Sequence, residues 1–100
     1  MAVVAQGVWP GITAEHYDQL SDVVGWEREV PPGLILHLAS FSPEGAHLMS
    51  VWESEETARR FFEERLMPGA QQVGISRAPE GRFPGGRFQP VHALFTPAGL

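Results

Sequence analysis

The sequence contains no cysteine and no lysine, and no run of apolar residues approaches the length of a membrane span. Without cysteine there are no disulfides, no thiolate nucleophile and no thiolate metal ligand. All 7 basic residues are arginine, and against 12 acidic residues they leave a net charge of −5. That balance argues against a nucleic-acid or anionic-membrane surface. A bilayer needs ~20 consecutive apolar residues, and the short N-terminal run Ala2-Val3-Val4-Ala5 has no basic residues before it, as a secretion signal would. The expected location is the cytoplasm. The chain's 100 residues suit one domain with a single core and no room for a deep private pocket.

What is present is organised around residues 47–66, where a strand passes almost directly into a helix. Leu48 to Trp52 suit a half-buried pleated surface, and from Ser54 the pattern becomes helical, with Ala58, Phe61, Phe62 and Leu66 on one side. Ser54 is the expected N-cap, and Glu55 and Glu56 meet the positive end of the helix dipole. Glu55/Arg59, Glu56/Arg60 and Arg60/Glu64 are spaced to pair on the outer face, and Pro68-Gly69 is expected to end the helix. Before this unit, residues 2–8 read as a strand closed by Trp9-Pro10-Gly11, and Thr13 caps a helix from Ala14 to Val24 that Gly25 closes. Residues 34–41 read as a strand joined by the turn Ser42-Pro43-Glu44-Gly45 into a hairpin, pairing Phe41 with Ala46, His37 with Ser50 and Ile35 with Trp52. Beyond the second helix, 70–75 suggest another helical turn, 76–87 a long irregular loop that is a candidate lid or partner contact, and 88–95 a fourth strand with Pro90 at an edge.

The order βαββαβ predicts a single ferredoxin-like α+β domain over residues 1–100, an antiparallel four-stranded sheet with both helices on one face. The second strand is apolar in both phases, so the uncovered face is expected to bury itself against a second copy, giving a homodimer.

Candidate chemistry centres on histidine. A neutral imidazole near pH 7 can take a proton from an acidic phenol or enol. On its residues alone, His37 is equally a pocket base or a hydrogen-bonded strand histidine, and His92 a pocket or a dimer-contact residue. His16 and His47 read as surface residues. No two histidines have metal-ligand spacing, no phosphate loop is present, and Ser50 beside His37 lacks a third member for a hydrolytic triad. Tyr17, Phe61 and Phe62 read as core, Trp9 and Trp26 as structural loop residues, and Arg82, Phe83 and Arg87 as parts of a solvated loop.

The junction Val51-Trp52-Glu53-Ser54-Glu55-Glu56 with Arg60-Phe61-Phe62 resembles that of the antibiotic-biosynthesis monooxygenase-like dimeric α+β barrels. His37 in the second strand, Glu64-Arg65-Leu66-x-Pro68, and Pro90-Val91-His92-x-Leu94 with Thr96-Pro97 are similar to a group of small actinobacterial proteins of that superfamily. The resemblance implies two sheets packed face to face across a dimer and a pocket between sheet, helices and long loop. It implies a cofactor-independent monooxygenase-like or isomerase-like activity on a small aromatic or lactone-like metabolite, or else a non-catalytic binding or dimerisation module. With Trp52 facing the pocket, as the resemblance implies, the hairpin register brings Ser50, His37 and Ile35 to the same face. His37 is then the base or orienting group, and Gln6 or Ser50 the polar anchor, with His92 a further pocket candidate. The haem-degrading branch shares Trp52 and a first-strand amide at Gln6, but residues 55–66 hold no histidine for an axial ligand, so no cofactor is expected.

Overall fold

The computed structural model describes residues 2–75, the backbone of 80–81, and residues 88–97. Its order is β1 (Val3–Pro10), α1 (Ala14–Val24), β2 (Leu34–Ser42), β3 (Gly45–Trp52), α2 (Glu55–Phe61), a π-helical turn (Phe62–Leu66), α3 (Met67–Gln72), and two short strands, β4 (Glu80–Gly81) and β5 (Gln89–Pro90). The strands run β2-β3-β1, with β4 and β5 both pairing the free edge of β1, and every pairing is antiparallel. This is an α+β arrangement compatible with the ferredoxin-like fold.

Local chemistry sets the helix ends. The Thr13 hydroxyl accepts from the His16 backbone N–H at 3.2 Å, and His16 Nδ1 accepts in return from the Thr13 N–H at 3.3 Å, a reciprocal cap that gives the exposed His16 a structural task. Gly25 adopts the left-handed conformation (φ 71°) and donates its N–H to the Ser21 carbonyl, closing α1 as expected. Ser54 accepts from the Thr57 N–H at 3.2 Å, and Arg59 and Arg60 pair with Glu55 and Glu56 at 2.9 Å.

Leu20 of α1, Ala58 and Phe61 of α2, Phe62 and Leu66 of the π turn and Ala70 of α3 share one core with Ala5 and Trp9 of β1 and Ala46, Leu48 and Trp52 of β3. These strand positions alternate, so the helices cover one sheet face. The other face, carrying Gln6, Leu38 and Ser40, stays open, and Ile35 and Leu38 are 45% and 53% exposed.

Several expectations change. β1 continues through Trp9 and Pro10, which pair with Ala46 and Gly45, because the Trp9 ring is a core residue rather than a turn residue. Pro68 does not stop the helix. In an α-helix it lacks the bond to the residue four back and its ring clashes with that carbonyl. Here the preceding turn bonds one residue further back, Met67 N–H to the Phe62 carbonyl, and Pro68 falls in the first turn of α3. Gly69, just beyond, is buried against α1, where a Cβ would lie 2.5 Å from Val24 Cγ2. The expected fourth strand over 88–95 shortens to Gln89–Pro90, and residues 92–97 lie outside any strand. Of the expected loop 76–87, all but the two β4 residues, including Arg82, Phe83 and Arg87, lies outside the described residues.

Candidate active site

His37 stands on β2 directly opposite Ser50 of β3, as the hairpin pattern predicts. The register then breaks. Leu34 pairs with Trp52 and Leu36 with Val51, so Ile35 is the extra residue of a β-bulge. Leu34 takes the inward place expected of Ile35, and Ile35 is exposed.

A cavity of about 30 Å³ lies between the sheet and the helices, room for one or a few waters. It is lined almost wholly by apolar and aromatic side chains, among them Trp9, Trp26, Trp52 and Phe61, with Tyr17, His37 and Ser50 supplying the polar atoms. The Tyr17 hydroxyl, from α1, is 2.7 Å from His37 Nε2. Their rings lie nearly parallel (7°) with centroids 6.1 Å apart, Trp26 stands 5.5 Å from each, and Phe41 meets Tyr17 edge-on at 5.7 Å. Ser50 does not bond His37; its hydroxyl accepts the indole N–H of Trp52 at 2.8 Å. No buried side-chain polar atom among the described residues lacks a partner.

Burial lowers the His37 pKa below its ordinary 6.5, a shift that the Glu27 carboxylate opposes. Burial, then the carboxylates of Glu27 and Asp18, pushes Tyr17 up to about 12. At neutral pH the pair is a neutral phenol and a neutral imidazole. With Tyr17 donating to Nε2, the imidazole proton resides on Nδ1.

Of the expected site residues, the fold gathers His37, Ser50 and Trp52 and excludes three. Gln6 alternates with the buried Ala5, so it lies on the opposite sheet face, in a shallow groove with Val8, Leu38, Ser40, His47 and Met49. Ile35 is displaced by the bulge. His92 falls beyond the last strand residue and is exposed. Conversely, Tyr17, Trp26 and Trp9, which the pattern gives as core or loop, form the cavity wall. The available signal for Tyr17 was its hydroxyl, the one polar group on an otherwise apolar helix stripe.

At the β2–β3 turn, His47 Nε2 lies 2.6 Å from the Ser42 hydroxyl and 3.8 Å from a Glu44 carboxylate oxygen. A hydrolytic triad needs acid and serine on different ring nitrogens, so this half-exposed cluster is a turn lock. Among the described residues no group of three or more His, Asp or Glu side chains is placed to hold a metal ion, and no helix is long and apolar enough to cross a membrane. Set against protein-family models, curated proteins and solved structures, the chain matches none of them.

Proposed function

We propose that this cavity is the ligand site of a small cofactor-independent enzyme, monooxygenase-like or isomerase-like, acting on a small aromatic or lactone-like metabolite, with His37 as the base that receives a proton from the substrate. Proton removal from an acidic phenol or enol begins either reaction. One observation carries the reading: a neutral imidazole, bonded to a single hydroxyl, sits in a wall otherwise made of aromatic rings. Few convergent polar groups in an apolar cavity is the usual form of a small-molecule site.

The same reading takes the protein as a homodimeric α+β barrel of the antibiotic-biosynthesis monooxygenase-like type. Its support is the open sheet face, where Ile35 and Leu38 are exposed beside the half-buried Val4, Val8, Leu36 and Met49. The cavity's small volume favours a second reading, a dimerisation module without catalysis, because a metabolite enters only if a wall moves.

A histidine titration followed by NMR, with and without a panel of polycyclic phenols and quinones, separates the two. On the enzyme reading the His37 resonances shift with a ligand that leaves His16 untouched, and His37→Ala abolishes turnover of that ligand. A His37 signal indifferent to every ligand makes the protein a dimerisation module.

A further inference from the structure

His37 meets the cavity with Nε2 already engaged by the Tyr17 hydroxyl at 2.7 Å. A ligand proton therefore reaches that nitrogen in one of two ways, by displacing the tyrosine or by passing through it. Displacement breaks the bond that holds the half-buried phenol hydroxyl beside the rings of Trp26 and Phe41, the net loss of one hydrogen bond. Passage keeps every bond made.

We propose that Tyr17 is the catalytic residue that touches the ligand: its oxygen accepts the hydrogen bond of a phenolic or enolic hydroxyl while its own proton passes to Nε2 of His37. This rests on the ligand-site reading above and narrows its substrate class. In the transfer the ligand O–H bond breaks as a new Tyr17 O–H bond forms, and the former Tyr17 proton joins Nε2. The ligand ends as an anion, His37 as an imidazolium, and Tyr17 as the neutral phenol it was, with no electrons exchanged. A carbon acid is a poor partner for such a relay, since C–H groups make only weak hydrogen bonds and a neutral phenol oxygen is too weak a base to draw off their proton. The fitting substrate is thus an aromatic alcohol or enol, not a lactone activated at carbon.

The surroundings act on both partners of the relay. Burial keeps the proton on Tyr17, so its oxygen serves as a neutral relay. Burial, the larger effect on His37, works against the imidazolium; the Glu27 carboxylate, in the segment after α1, works for it and, with Asp18 on α1, helps keep the proton on Tyr17. The relay also has a polarity. With His37 neutral, Tyr17 donates to Nε2 and offers the ligand a lone pair. With His37 protonated, Nε2–H donates to Tyr17, whose hydroxyl then turns outward as a donor.

The probes are 2-naphthol and its methyl ether, with tyrosine labelled at Cζ, and Tyr17 is the chain's only tyrosine, so the label gives one signal. Above the ordinary histidine pKa of 6.5, wild type is expected to bind the naphthol about fivefold tighter than the ether, the size of one net hydrogen bond. The Cζ signal moves with the naphthol, the preference fades in wild type as His37 becomes protonated, and a crystal structure of the naphthol complex places the ligand oxygen against the Tyr17 oxygen with the Tyr17 bond to Nε2 kept. A ligand oxygen bonded to Nε2 in place of Tyr17, or a preference that is flat with pH, overturns the relay and leaves a ligand site at His37 standing. If the ether fails to bind along with the naphthol, the ligand-site reading and the relay fall together.

Discussion

Ser50 and Trp52 sit two residues apart on the same face of β3 and are bonded to each other: the indole N–H of Trp52 donates to the Ser50 hydroxyl at 2.8 Å, with both residues almost fully enclosed. Ser50 is thereby spent on orienting the tryptophan that floors the cavity. Ser50→Ala leaves the indole N–H buried without a partner, a loss of ~1–3 kcal/mol. Urea denaturation is expected to show a lower midpoint with an unchanged slope, since neither end state changes its compactness.

His37 and Tyr17 govern opposite limbs of the pH–stability curve. The folded protein holds His37 below its ordinary 6.5, so as pH falls past that value the unfolded chain binds the proton first. The stability from the neutral imidazole is whole above 6.5 and is lost as pH falls through the folded value. Tyr17 has the reverse sign. Its stability is whole below 10.0 and is lost as pH rises toward about 12, because the unfolded phenol ionises first. Denaturation midpoints across pH are expected to lose part of their slope just below 6.5 in His37→Gln and part of their alkaline slope in Tyr17→Phe. An ultraviolet titration of the single tyrosine should find it ionising well above 10.0.

The open sheet face makes a separate claim. Leu38, 53% exposed, lies in one apolar patch with Ile35, Val4, Val8, Leu36 and Met49, and a contiguous exposed patch of this kind suits an interface. Wild type is expected to sediment as a dimer. Leu38→Glu, which adds a charge there without touching the helix-covered core, is expected to yield a monomer with unchanged helix content. Wild type sedimenting as a monomer at high concentration would remove the barrel.

Where the sequence was legible, one short-range rule decided the outcome. Thr13, Gly25 and Ser54 mark helix ends because each satisfies backbone groups within a single turn. The pairing of His37 with Ser50 follows from the length of the turn between their strands. What stayed hidden depends on longer range. The bulge at Ile35 and the π turn before Pro68 each shift the register by one residue, and neither has a local signature strong enough to announce it. Trp9 and Trp26 flank turn residues, and only their burial against the rest of the fold makes them cavity walls. Gln6 fell on the wrong face because a period of two leaves no intermediate position.

Trp26 is the one tryptophan of the cavity wall that no helix or strand carries. It is 8% exposed where Trp9 and Trp52 are 1%. Its segment is fixed at the ends, by the Gly25 cap and by the Glu53 N–H donating to the Gly33 carbonyl at 2.7 Å. In between, the indole leans on Tyr17, His37 and Phe61. With about 30 Å³ free, a ring enters only by displacing such a wall. Trp26→Ala is expected to destabilise by ~3–5 kcal/mol, and Trp26→Leu by less. Both should leave an apolar void that naphthalene fills, so that Tm rises more with naphthalene in the variants than in wild type. The variants should also bind 2-naphthol more tightly than wild type, because the cost of opening has already been met. If Trp9→Ala shows that gain and the Trp26 variants do not, the ligand enters beside β1, and the Tyr17–His37 pair lies at the back of the site instead of its mouth.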